Sequence, residues 1–150
     1  MVTATDLVVE EELAELVANA AEMGWSLTIL DGGAFVLGVP AKGGSSLFWR
    51  CATDRYPTWP PAWHWADPTG GVIDAPTVTG LGGNFFHSNG VVCAPWNRLA
   101  YKAIDARGPH GDWTIGDWLT NSYTRQCKTL SAMAARLAIE ATHRFQRRMA

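Results

Sequence analysis

The chain has 150 residues, of which 47% are hydrophobic and 17% charged, with a formal net charge of −2. A single domain of this length removes roughly 68–70% of its unfolded surface from water, so it needs no disulfide or metal to fold, and its apolar content argues against disorder. With so small a net charge and no basic stripe interleaved with aromatics, there is no basis for a nucleic-acid partner.

Residues from about Asp6 to Met23 are predicted to form an amphipathic helix, because Leu13, Leu16, Val17, Ala20 and Met23 recur at three- and four-residue steps. Acids crowd its first half, at the positive end of the helix dipole, and Gly24 is a natural stop. The period then changes to two over Ser26–Leu30, Ala34–Val39 and Ser46–Thr53. These runs are joined by Asp31-Gly32-Gly33 and Ala41-Lys42-Gly43-Gly44, whose glycines suit tight hairpins. On the third run Leu47, Trp49 and Cys51 point one way, and Phe48, Arg50 and Ala52 the other. Ala62–Ala66 reads as a fourth strand with Trp63 and Trp65 on one face.

Between the third and fourth runs lies Tyr56-Pro57-Thr58-Trp59-Pro60-Pro61. Its prolines fix φ and push the residues before them towards extended backbone, which predicts an extended corner at a sheet edge. Asp67 to Phe86 is rich in Gly and Pro and is predicted to be irregular, a loop length that is often functional. Beyond Cys93 the stretch to Asp112 carries no assignable pattern. Thr114–Asn121 reads as a short helix capped by Thr114. From Leu130 to Met149 a long closing helix is predicted, with Leu130, Met133, Leu137, Ala141 and Phe145 on one face. The expected architecture is thus α/β in the α+β sense: a single domain over residues 1–150, with an N-terminal helix, a four-stranded antiparallel meander and C-terminal helices.

Charge is unevenly placed. Asp6 to Asp31 holds seven acids and no Lys or Arg, whereas from Arg125 onward six bases face Glu140 alone. These are two solvated helix faces, or one end is an electrostatic docking surface for a protein. The three cysteines, Cys51, Cys93 and Cys127, form no C-x-x-C pair, which disfavours both a disulfide framework and a structural zinc site. No metal and no cofactor are expected. The first residues lack the pattern of a signal peptide, and no apolar run approaches the roughly 20 residues that span a bilayer. The expectation is a soluble, cytoplasmic protein without a membrane partner.

The order helix, meander, Tyr-Pro corner, irregular stretch, cysteine and C-terminal helices resembles that of ubiquitin-conjugating enzymes. The residues that carry the likeness are Tyr56, Pro57, Pro60 and Pro61, then Asn89-Gly90-Val91-Val92-Cys93, with Trp113 matching the tryptophan that follows the family's cysteine. The likeness extends to divergent members from bacterial ubiquitin-like systems, which look like parts of operons serving antiviral defence. It implies that Cys93 receives a ubiquitin-like modifier as a thioester from an activating enzyme and passes it to an amine on a target protein. The family's His-Pro-Asn is replaced here by Gly83-Asn84-Phe85-Phe86-His87, so Asn84 or His87 takes the role of oxyanion donor. Trp59 and Pro60 occupy the corner whose family counterpart binds partner ligases.

Each of these residues has a plainer reading. Cysteine is among the most buried residue types, so Cys93 after two valines is either core or nucleophile; Asn89-Gly90 before it and Pro95 after it favour an accessible, turn-bounded site. His87 is a catalytic or a structural histidine, and Asn84 a donor or a turn residue. Asp112 and Asp117 hold an incoming lysine or cap a helix. Cys51 reads as core, and His64 as a sheet-surface residue. Two rival functions follow: an inert binding module of the same fold, and a thiol hydrolase pairing Cys93 with His87, His110 or His143, which requires a depressed thiol pKa.

Overall fold

The computed structural model describes residues 3–41, 44–73, 77–79, 85–87, 89–143 and 145–148, with the backbone alone for 77–79 and 145–148. Helix α1 spans Ala4–Met23 and starts two residues earlier than its apolar pattern suggests. The cause is a capping box: Thr3 Oγ1 accepts from the Asp6 N–H at 3.1 Å, and the Asp6 carboxylate accepts from the Thr3 N–H at 3.0 Å. Gly24 ends the helix in the left-handed region at φ +76. The buried stripe is narrower than predicted. Leu16 and Ala20 are buried, whereas Val17 and Met23 are 48% and 61% exposed; α1 rests against a second helix, the first strand and the turn at 31–33.

Strands β1 (Ser26–Ile29), β2 (Phe35–Pro40), β3 (Ser46–Ala52) and β4 (Ala62–Ala66) form an antiparallel meander in that order. Its register sets Phe35, Cys51 and Trp63 in one row and Leu37, Trp49 and Trp65 in the next. Period-two alternation aims both rows at the core. There Trp49 and Trp65 meet at 4.9 Å between centroids, and Phe35 meets Trp63 edge-on at 5.5 Å. Helix α2 (Leu130–His143) packs against β2 and α1, with Leu130, Met133, Leu137 and Ala141 fully buried.

Three expectations need correction. The closing helix stops at His143, and Phe145–Arg148 is instead a strand, β6, paired with β5 (Thr77–Thr79) inside the stretch expected to be irregular. A pairing partner remote in sequence overrides a helical pattern that carries no stop signal of its own. The segment after Thr114 is only a 3₁₀ turn over Ile115–Asp117, and the Thr114 side chain makes no capping bond. The Tyr-Pro corner is a compact turn, closed by the Trp59 N–H on the Arg55 carbonyl at 2.8 Å, rather than an extended segment.

Donors from elsewhere impose that turn. The Trp118 indole N–H donates to the Pro57 carbonyl at 3.0 Å, and Arg98 Nε to the Pro60 carbonyl at 3.1 Å. Arg98 also pairs with the Asp54 carboxylate at 3.1 Å and donates to the Asp54 carbonyl. Tyr56, fully buried, donates its hydroxyl to Glu12 Oε1 at 2.6 Å, and the same oxygen accepts from the Leu130 N–H at 2.8 Å. One carboxylate on α1 thus serves the corner and the first turn of α2.

Tyr56→Phe should therefore lower unfolding free energy by about 1.5–3 kcal/mol, the range for a hydrogen bond to a charged group. Urea titration would show this as a lower midpoint with an unchanged slope; an unchanged midpoint would mean that the bond contributes nothing.

Candidate active site

After β4 the chain folds back on itself. The Asp67 carboxylate gathers the Thr69 and Gly71 N–H groups at 2.8 and 2.9 Å, and the Ile73 N–H donates to the Trp65 carbonyl at 2.9 Å. Farther on, residues 85–87 pair antiparallel with 91–93. The Cys93 N–H donates to the Phe85 carbonyl at 2.6 Å and the His87 N–H to the Val91 carbonyl at 3.0 Å, with Phe86 opposite Val92. Gly90, at φ +88, closes the turn by donating to the His87 carbonyl at 2.9 Å. This is the small hairpin on which Cys93 stands.

Two anchors fix the hairpin to the sheet. Phe86 packs on the inner face against Trp49 and Trp65, at 5.8 and 5.2 Å between centroids, and Phe85 against Trp96 at 5.7 Å. The fully buried Asn97 supplies the second anchor. Its amide NH₂ donates to the Val92 carbonyl at 2.8 Å, and its oxygen accepts from the Trp63 N–H of edge strand β4 at 2.8 Å. Because all three groups are buried, losing this side chain would leave a strand N–H and a loop carbonyl without partners.

Of the three cysteines, Cys93 is the one that is partly exposed; Cys51 and Cys127 are buried. Burial, and then the nearby charge of Asp112, push the Cys93 thiol up to about 11. Asp112 itself is exposed and is held below the usual carboxylate range, chiefly by its 3.0 Å contact with His110 Nδ1. The His110 ring lies flat on Trp113 at 3.4 Å, and Trp113 in turn meets Tyr101 and the exposed Tyr123. A bridge between Tyr101 and His110 brings this group into place. Gly108 makes the bridge feasible, since a Cβ there would sit 2.7 Å from the Tyr101 backbone.

His87 is partly buried, and its Nδ1 accepts from the Asn89 N–H at 3.0 Å. The ring proton of the neutral form therefore lies on Nε2, which makes His87 a hydrogen-bond donor. Burial, and then His110, lower its pKa, so it is neutral at pH 7. Asn84, the other expected donor, lies outside the described residues.

No protein-family model, curated protein sequence or solved structure matches this chain.

The remaining expected residues scatter. Trp59 lies beneath the Arg55 guanidinium at 4.3 Å and near that of Arg98 at 5.8 Å, and Pro60 is buried. His64 stands opposite Arg50 on the outward face of β4. Its pKa is lowered by burial and then by Arg107. Asp117 belongs to the 3₁₀ turn, and His143 ends α2. Sequence reasoning missed Asn97, Arg98 and Trp118. No spacing or repeat around Asn97-Arg98 or Trp118 distinguishes a buried anchor from a turn residue.

Alkylation of native Cys93 by iodoacetamide should rise about tenfold per pH unit from pH 7 to 10 and level off only near 11, because the thiolate reacts and the thiol does not. A plateau at or below pH 8 would instead identify a thiol activated by an imidazole.

Proposed function

We propose that Cys93 carries a ubiquitin-like protein as a thioester within a ubiquitin-conjugating-like fold. The observation that carries this reading is the setting of Cys93: a partly exposed thiol on a hairpin anchored by Phe86 and Asn97, kept protonated at rest by burial and then by the charge of Asp112. The order of α1, the four-stranded meander, the Tyr-Pro corner, Cys93 and α2 supports it.

In the first step Cys93 Sγ attacks the thioester carbonyl carbon on an activating enzyme. The new S–C bond replaces the old one, and the proton of the Cys93 thiol passes to the departing thiolate. Thioester replaces thioester, so no strong driving force is required. A nucleophile with pKa near 11 leaves only about 10⁻⁴ thiolate at pH 7, but that thiolate is a strong one. The acylated sulfur is uncharged, so the burial that disfavours Cys93 thiolate does not disfavour its thioester.

In the second step the neutral amine of the target attacks the same carbon, the bond to Sγ breaks, and the proton the nitrogen loses passes to the departing Cys93 thiolate, which restores the thiol. A high thiol pKa makes Sγ a reluctant leaving group, which protects the carried acyl group from water. Asp112, kept ionised, holds the incoming lysine, and His87 Nε2–H donates to the developing oxyanion. A thiol hydrolase needs the opposite direction of pKa. An inert binding module needs a cysteine as inaccessible as Cys51.

Incubation with a cognate activating enzyme, modifier and ATP should give an adduct on a non-reducing gel that thiol reductant removes and Cys93→Ala lacks. Asp112→Asn should leave charging intact, quicken alkylation of Cys93, and slow discharge to free lysine by about tenfold or more. A charged activating enzyme with no adduct on this chain would reject the carrier role for that modifier.

A further inference from the structure

The C-terminal half of α1 and the outer side of α2 enclose an open furrow of about 550 Å³. Glu22 and Met23 line it from α1, Ala135, Ala138 and Ile139 from α2, and Trp25 from the turn that follows α1. Met23 and Ile139 are 61% and 55% exposed, so two large apolar side chains border a run of small ones. The two helices run side by side in the same direction. Glu12 meets Leu130 near one end, and Met23 and His143 line the furrow at the other.

We propose that this furrow docks a helix of another protein, apolar along one face and bearing Lys or Arg along its edge. Apart from Trp25 and Pro40 the lining belongs to the two helices, and Pro40 has no N–H to donate, so the furrow offers no row of strand-edge donors. An extended peptide laid there would leave its own N–H and C=O groups unpaired against apolar side chains, whereas a helix satisfies its own. Small residues between larger ones let a third helix approach to the usual 8–10 Å.

The edge charge follows from Glu22 and Glu15 on α1, a helix without Lys or Arg, since Asp6 and Glu10 line a different hollow and Glu12 is bound to Tyr56 and the Leu130 N–H. Glu22 stands in the furrow wall, and Glu15, seven residues earlier, lies about two turns up the same side. Both are exposed. On α2, Arg136 is directed to Glu140 at 3.0 Å and over Phe85 at 5.0 Å, and His143 borders the furrow at its far end. The field along the α1 wall is therefore negative, and a partner with basic residues one or two turns apart matches it.

The inference does not rest on the chemistry of Cys93, and Cys93→Ala should bind as the native chain does. The probe is a fluorescein-labelled 18-residue helix of Leu and Lys, with leucines at i, i+3, i+4 and i+7. A Leu/Glu helix of the same pattern and a scrambled Leu/Lys peptide serve as comparisons. Fluorescence anisotropy at about 0.15 M salt should show binding of the Lys helix, with the other two about tenfold weaker or worse. Ile139→Asp should weaken the Lys helix about tenfold, and Glu22→Lys several-fold, with circular dichroism unchanged in both variants. Equal binding of the scrambled peptide, or affinity unmoved by Ile139→Asp, would overturn the proposal. A dimer of the chain alone that Ile139→Asp dissociates would assign the furrow to a second copy and overturn it as well.

Discussion

The Glu12 carboxylate is where three separately specified parts of the molecule meet. Its Oε1 accepts the Tyr56 hydroxyl from the corner and the Leu130 N–H from the first turn of α2, while Glu12 itself belongs to α1. Each partner alone would be in difficulty. Without Glu12 the buried phenol would keep only the longer contact to the Lys128 carbonyl at 3.3 Å, and a helix N-terminus with an unpaired buried N–H costs on the order of 1–3 kcal/mol. Burial, and then the bond to Glu12, push the Tyr56 hydroxyl well above its ordinary pKa, so it remains a donor throughout the working pH range. With α2 started at that point, its apolar stripe lies across β2 and completes the core.

The corner passes this constraint on to Cys93. Arg98, which holds the Pro60 carbonyl and Asp54, follows directly on Asn97, which holds Val92 and edge strand β4. Two adjacent residues therefore bind the corner, the sheet edge and the cysteine hairpin together. Phe86 adds a grip on the inner face through Trp49 and Trp65. The abundance of tryptophan finds its explanation here, since Trp49, Trp63, Trp65, Trp96 and Trp118 are all fully buried. Large rigid side chains fill the space between sheet and hairpin with little rotamer entropy to lose.

What could be read from the sequence follows from how local each signal is. The strand bounds, the facing of Leu47, Trp49 and Cys51, and the stop at Gly24 depend on alternation and glycine within a few residues, and the structure agrees with them, the bounds to within one residue. The compact corner, the early end of α2 and strand β6 depend on partners dozens of residues away. Pro57 and Pro60 do favour extended neighbours, yet Trp118 and Arg98 reach their carbonyls from 61 and 38 positions along the chain. Within the site, Cys93 was marked by its Asn-Gly turn, and His87 by closeness in sequence. The contact of His110 with Asp112 and its stacking on Trp113 required the fold of the 101–110 loop, which no local pattern announces.

The electrostatics of Cys93 separate storing an acyl group from cleaving one. A hydrolase lowers its thiol pKa so that attack is quick and the acyl group leaves readily for water. Here burial and Asp112 act in the other direction. In the proposed carrier role, the surroundings that make free thiolate scarce would leave a neutral thioester undisturbed and make its sulfur a poor leaving group. For the proposed transfer to an amine Asp112 offers an exposed, ionised carboxylate, held by His110 at 3.0 Å. His87, neutral and with its proton directed to Nε2 by the Asn89 N–H, complements it as a donor rather than a base. In the carrier role proposed above, Asp112 is the acid that attracts the amine and His87 the donor to the oxyanion.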